Sequence, residues 1–240
     1  MLRTPSLETR ARKGPQLAHD FDRVAPRYDL LQRLNPGYCA HLALSARRLQ
    51  APARGCLLDL CCGTGLSTEA LVACYPEAEI TAVDQSAGML EVARRKPALA
   101  HVNFIQGDAM ALDACGANGP YDAILMAYGI RNMPDADACL LQLREHLSPH
   151  GRIAFHEYLM RDALAPRAVW NAVSASIIVP LGTIATGSSV LFRYLRSSVN
   201  AFDHLDAFKI RLRRAGFQAI HHESMGGWQR GIVHTVLATR

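Results

Sequence analysis

The chain has 240 residues, half of them hydrophobic and a fifth charged, which is enough for an ample core in one large α/β unit. Its net charge of +5 forms no dense Lys/Arg stripe with interleaved aromatics, and no N-P-P-Y-like base-flipping element occurs; both argue against a nucleic-acid partner. Seven cysteines in an irregular set without a C-x-x-C pair argue against a zinc ribbon or disulfide scaffold, suit a reducing cytoplasmic compartment, and leave no metal site legible.

Residues 1–15 read as a flexible leader ending at Gly14-Pro15. Its Arg-containing start imitates a transit peptide, but a frayed polar tail is the simpler reading. Apolar residues at three- and four-residue steps (Phe21, Val24, Tyr28, Leu31) predict an amphipathic helix over 19–35, which Pro26 is expected to kink or split. A second helix is expected over 38–49. Together they make a helical cap, 16–50.

Alternating strands and helices follow. Strands are expected at 56–60, 79–83, 102–106, 121–127 and 152–158. Helices are expected at 67–74, at 86–96 with Ser86 as cap, and at 135–147, the last ending in a turn at 149–151. Such alternation means a parallel sheet with right-handed crossovers. After Met160 the rhythm changes to helices near 163–178 and 188–199, with a break over 180–187; this insertion, 160–200, suits a substrate-side lid. The apolar stretch 177–181 is interrupted by Pro180 and reads as too short to cross a bilayer. A helix at 203–215 and strands at 217–223 and 230–238 close the chain as an antiparallel hairpin. The fold class is therefore α/β and Rossmann-like: one domain, 16–240, with a mostly parallel seven-stranded sheet and an antiparallel last strand.

The informative stretch is L-L-D-L-C-C-G-T-G, from Leu57 to Gly65. An apolar strand meets the acid Asp59, then a Gly63-Thr64-Gly65 turn where a ligand can approach the backbone. The dinucleotide fingerprint needs a third small residue, and here Thr68 stands in its place. An acid before the turn suits a cofactor with a cationic amino-acid end and no pyrophosphate, as in S-adenosylmethionine. A second acid, Asp84, ends the next strand near the position from which a carboxylate grips a ribose diol. The methionine end is then expected by Asp59 and the glycine turn, and the adenine by Asp108 and Ala109. Alone, Asp108 could equally be a turn residue. Tyr28, Gln85, Met89 and Ala127 complete the cofactor-side candidates.

Four segments carry a resemblance: F-D-R-V-A-P-R-Y-D-L-L (21–31), D-L-C-C-G-T-G (59–65), Y-G-I-R-N-M (128–133) and L-S-P-H-G-R (147–152). With V-P-L-G-T-I, R-Y-L-R-S-S-V and R-A-G-F later in matching order, the chain resembles the ubiquinone/menaquinone-biosynthesis C-methyltransferase family over nearly its whole length. The resemblance implies a class I S-adenosylmethionine-dependent methyltransferase fold. It also implies cofactor contacts at Thr64, Asp84, Asp108 and Ala109, and a substrate-facing arginine at Arg131. Among the departures, Cys61 stands where Ala is usual and Ala127 where Ser often precedes F-G. Leu191-Phe192 replaces a common Ser-Tyr, and the family's His-Arg-Gly-Tyr close is missing.

A reduced quinone ring methylated on carbon is the first reading of the acceptor, in the sense of a small hydrophobic aromatic or (poly)prenyl quinol. O- or N-methylation of a small natural product is the alternative, and a cofactor-binding protein or cyclase that transfers no methyl group is a further one. The catalytic candidates are Tyr128, Arg131 and His156, with Glu157 as an orienting group. Arginine cannot ordinarily act as a base, so Arg131 suits charge stabilisation. His156, beside Phe155 on a strand, is more often a satisfied core residue than a base. Peripheral membrane contact and a homodimer stay open.

Overall fold

The computed structural model describes residues 14–240, so the expected leader lies outside the described residues except for Gly14 and Pro15. Two helices come first, α1 (Pro15–Arg33) and α2 (Tyr38–Leu49). Pro26 does not split α1 as expected. It sits on an exposed face, where water can take the carbonyl that the missing N–H releases.

The alternating part contains β1 (Cys56–Leu60), α3 (Leu66–Cys74), β2 (Glu79–Asp84), α4 (Ala87–Arg94), β3 (Asn103–Gln106), β4 (Tyr121–Ala127), α5 (Ala136–His146) and β5 (Leu147–Tyr158). Caps fix the helix starts: the Ser86 hydroxyl accepts from the Met89 N–H at 3.1 Å, and Asp135 accepts from the N–H groups of Asp137 and Ala138, both at 3.0 Å. The turn expected at 149–151 is instead a bulge inside β5. Leu147 pairs with Tyr121, and the next register pair is Ala123 with Arg152. Pro149 has no N–H to give the ladder, so the chain bows out and rejoins it.

The insertion also differs from expectation. α6 (Leu164–Val173), a π-helical turn (Ser174–Ile178) and α7 (Val179–Thr186) run on without a break, and the chain turns only at Gly187, whose φ is +73°. Pro180 is accepted because it falls in the first turn after the π segment, where its N–H would lack a regular partner. The 23-residue run Leu164–Thr186 is long and apolar enough, by length and composition, to cross a membrane, which corrects the reading of 177–181 as too short. α8 (Val190–Ala201) packs back against it. There Gly182 lies so close to the Phe192 ring that a Cβ would come within 2.5 Å of it. α9 (Leu205–Arg214), β6 (Gln218–Ser224) and β7 (Val233–Thr239) end the chain.

The seven strands form one sheet in the order β3-β2-β1-β4-β5-β7-β6. β1 to β5 are parallel, and β7 runs antiparallel to both β5 and β6. Strand alternation divides the core between two faces. Leu58, Leu60, Ile124, Met126 and Phe155 pack with α5 and α9, while Leu57, Ala123, Leu125 and Ala154 pack with α2, α3 and α4. Each fully buried Leu, Ile or Phe contributes about 1.5–3 kcal/mol. The order of parallel strands reverses between β1 and β4, and at such a switch point the crevice beyond the strand ends is open to a ligand.

Candidate active site

A cavity of about 1020 Å³, partly open to solvent, lies at that switch point. The loops after β1, β2, β3 and β4 wall it, with α1 and α2 covering it. The first loop turns through Cys61, Gly63 and Gly65, all at positive φ. At Gly65 a Cβ would fall 2.7 Å from the Leu99 side chain, whereas at Gly63 it would meet nothing within 4 Å. Gly65 therefore serves packing, and Gly63 bares its backbone to the cavity.

Asp84, at the tip of β2, fixes this loop. One of its oxygens accepts the Gly63 N–H at 2.8 Å and the other the Ser86 N–H at 2.9 Å. Burial raises its pKa, and those N–H donors oppose the rise. Each oxygen keeps a second lone pair for a hydroxyl ligand. From α1, Asp22 accepts from the Ser86 hydroxyl and, at 2.8 Å, from the Gly88 N–H. Seven residues on, Asp29 accepts from the Thr64 hydroxyl and pairs with Lys96 at 2.7 Å. Two helical turns separate these acids, so one face of α1 is clamped to two cofactor-side loops.

Of the expected cofactor-side residues, Tyr28, Gly63, Thr64, Asp84, Gln85, Met89, Asp108, Ala109 and Ala127 line the cavity, as do Tyr128 and Arg131. Asp108 is also a turn residue, accepting from the Met110 N–H at 2.9 Å. Asp59, Gly65 and His156 stand behind the wall. Asp59 is fully buried, with one oxygen holding the hydroxyls of Ser67 (2.8 Å) and Thr68 (2.6 Å) and the other without a partner among the described residues. Burial lifts its pKa to about 7, against the pull of those two hydroxyls.

Arg131 is buried beside the fourth loop. Its guanidinium donates to the Tyr128 carbonyl at 2.8 Å and to Glu157 at 2.7 Å, and its Nε has no partner among the described residues. It lies 5.9 Å from the Tyr128 ring centre and 5.4 Å from that of Tyr158. Burial raises the pKa of Glu157, opposed by Arg131, so the pair neutralises a charge that neither could carry alone in the core. Tyr128 holds φ +56°, stacks on Tyr38 at 5.6 Å, and has its hydroxyl 2.8 Å from His156 Nε2. Burial lowers the pKa of His156 to about 3, with His41 and Arg48 adding to the shift, so its ring is neutral.

The residues fit an adenosyl sulfonium: a strand-tip carboxylate for the ribose, open backbone at Gly63, and a buried carboxylate oxygen in need of a partner behind the turn. Sequence reasoning did not find Asp22, Asp29, Tyr38 or Asn132. The first two were signalled by the repeat of Phe21-Asp22 in Tyr28-Asp29 at a spacing of seven. Asn132 lies within the Y-G-I-R-N-M segment, but its bond to Tyr194 shows only in the fold; Tyr38 carries no local signal, since only the packing of α2 against the fourth loop gives it a role.

Residues 9–239 match the model of the ubiE/COQ5 methyltransferase family. The chain belongs to that family. It is a methyltransferase, and S-adenosylmethionine, the cofactor expected from the loops, stands with that membership. A demethylmenaquinone methyltransferase of Thermus thermophilus is 35% identical over 204 residues, covering 82% of this chain and 90% of the relative. The ubiquinone/menaquinone biosynthesis C-methyltransferase UbiE of Syntrophotalea carbinolica is 31% identical, covering 90% and 92%. Among solved structures, the [4+2]-cyclase SpnF aligns with a TM-score of 0.69 at 16% identity, covering 94% of this chain and 95% of that one. The plantazolicin methyltransferase BpumL, in complex with a pentazolic desmethylPZN analog and SAH, aligns at 0.66 and 16%, covering 97% of each. These two establish the fold, that of class I methyltransferases.

Because Asp59 titrates higher in the fold than its reference value of 3.8, its contribution to stability is complete below that value and is lost as pH rises through about 7. In the protein without cofactor, Asp59→Asn keeps an acceptor for Ser67 and Thr68 and removes this penalty. Urea unfolding at pH 5 and pH 8 should show the variant gaining on the wild type at the higher pH, by about 1.4 kcal/mol per pH unit of the interval crossed. A stability difference that does not change with pH would mean that Asp59 is ionised throughout.

Proposed function

We propose that the protein transfers the methyl group of S-adenosylmethionine to a ring carbon of a demethylated quinol with an apolar tail. The observation that carries the reading is Arg131, a buried cation on the cavity wall, held by Glu157 and flanked by two aromatic rings. The names of relatives that match most of the chain support the quinol as acceptor.

When bound, the cofactor supplies an electrophilic methyl on its sulfonium. An acceptor hydroxyl gives its proton to water, and the oxyanion left behind is held by Arg131. The charge held there would raise electron density at the neighbouring ring carbon, the atom that would accept the methyl group, with that carbon's own proton passing to water. The tyrosines keep out water and hold the ring in line, which is where most of the acceleration arises. Glu157 keeps Arg131 aimed, since its carboxylate also accepts the Tyr158 N–H at 2.9 Å.

The same reading gives the insertion a task. Leu164 and Ile184 are 86% and 80% exposed, and Ile177, Leu181 and Val190 are also exposed. Between Asp162 and Asp203 there is no acidic residue, while Arg167, Arg193 and Arg196 are present. An apolar helix that carries Arg167 and no acid, and is followed by Arg193 and Arg196, suits the interface of an anionic bilayer, where an apolar-tailed acceptor resides. The protein then works from the cytoplasm as a peripheral enzyme.

With labelled cofactor, the purified protein should methylate a demethylated menaquinol on carbon. Arg131→Ala should lower kcat by about tenfold to a hundredfold while leaving cofactor affinity within a few-fold. Label on oxygen or nitrogen of the acceptor would exclude the proposed chemistry. Replacing both Leu181 and Ile184 with Glu should abolish flotation with anionic vesicles and spare turnover of a short-tailed, water-soluble quinol. Unchanged flotation would remove the helix from the membrane contact.

A further inference from the structure

Behind Tyr128 lies a buried line of polar side chains that runs between α2 and the sheet, from the cavity wall toward β6. Arg48, on α2, donates to the Thr235 hydroxyl at 2.9 Å; Thr235 and Ser45 hydroxyls are 2.8 Å apart; Ser45 Oγ is 2.7 Å from His156 Nδ1; and His156 Nε2 is 2.8 Å from the Tyr128 hydroxyl. Ser45, Thr235 and His156 are all fully buried. The outer end is anchored by Glu223, which pairs with Arg48 at 2.9 Å and is half exposed.

This line has a direction. Arginine has donors and no acceptor, so Thr235 must accept from Arg48. The hydrogen of Thr235 then has one side-chain partner, the Ser45 oxygen, and leaving it unused in the core would cost about 1–3 kcal/mol. Ser45, accepting from Thr235, donates to His156 Nδ1. A neutral imidazole that accepts at Nδ1 carries its proton on Nε2, and so donates to the Tyr128 oxygen. Tyr128 is left with its own hydrogen to give. With no substrate bound, the neighbour on that side is Tyr158, whose ring centre lies 4.9 Å from that of Tyr128 and beside Arg131.

We propose that Arg48, Thr235, Ser45 and His156 are positioning residues that fix the Tyr128 hydroxyl as a hydrogen-bond donor, to Tyr158 in the free protein and to the acceptor's oxyanion when substrate is bound. The proton of the acceptor therefore does not travel out through His156. Burial fits this role, because it keeps His156 uncharged and Tyr128 a phenol. The groups facing His156 agree with it: Arg48 and His41 on α2 disfavour a second proton, and Tyr128 offers only a neutral oxygen. Tyr128 and Arg131 would then share one oxyanion, the phenol as dipole and the guanidinium as charge. The inference about what receives the hydrogen bond rests on the proposed methyl transfer to a quinol. The direction of the line does not.

The test is nitrogen-15 NMR of histidine-labelled protein without substrate, with the His156 signal assigned from its loss in His156→Gln. The expected result is a neutral ring with its proton on Nε2 from pH 5 to pH 9, and a share of the Nδ1–H form appearing in Arg48→Met. A wild-type Nδ1–H ring, or titration near pH 6.5, would overturn the proposal whether or not quinol is the substrate. In turnover, His156→Gln offers an amide N–H to Tyr128 but cannot serve as a base. It should retain kcat within about threefold and an unshifted pH profile, whereas Tyr128→Phe should lower kcat by at least tenfold with cofactor affinity unchanged. A hundredfold loss in a folded His156→Gln protein, with a lost limb in its pH profile, would make His156 a base and contradict the assignment. Should quinol fail as acceptor while the NMR result holds, the fault lies with the substrate reading alone.

Discussion

One carboxylate joins the parts of the cleft that come from separate stretches of chain. Asp84 accepts the Gly63 N–H from the first loop and the Ser86 N–H from its own; Ser86 in turn gives its hydroxyl to Asp22 of the covering helix. The turn after β1, the start of α4 and the face of α1 are thus one hydrogen-bonded unit. Bonds to a charged acceptor contribute about 1.5–3 kcal/mol each, more than neutral ones, and they fix geometry as well. Asp29 repeats the device a further two turns along α1, through Thr64 and Lys96.

The part of the cleft beside the fourth loop is organised by a second buried charge. Arg131 and Glu157 come from the loop after β4 and the end of β5, neighbours in the sheet, and neither side chain is more than 5% exposed. A buried pair of this kind adds little net stability over an apolar substitute, but loss of one partner strands a charge in the core. Its value lies in placement. It puts a cation with an unpartnered Nε beside two aromatic rings, where a developing negative charge on a flat acceptor can be met.

Much of this was legible in the sequence. The five parallel strands, the closing hairpin and the loops at 61–65, 84–86, 107–109 and 127–132 follow from apolar runs that end in Gly or Asp, signals carried within a few residues. The errors have a common source. At Pro26, at Pro180 and at Pro149-Gly151 local breaker chemistry was expected to prevail, but packing and exposure overrode it. α1 runs through Pro26 on its wet face, a π turn absorbs Pro180, and β5 bulges at Pro149 and rejoins its neighbour. Contacts between distant stretches left still less trace. Nothing near His156 in the chain announces Ser45, Thr235 and Arg48, which meet it only once α2 lies over β5 and β7.

The central claim is that Asp84 and the turn it holds form the seat of the adenosyl cofactor. Calorimetric titration of S-adenosylmethionine into the wild type and into Asp84→Ala tests it most directly. Affinity should fall by about tenfold to a hundredfold in the variant, as expected for the loss of one or more charged acceptors on a buried ribose. Equal affinity in the two proteins would place the cofactor elsewhere and contradict the assignment of the cleft.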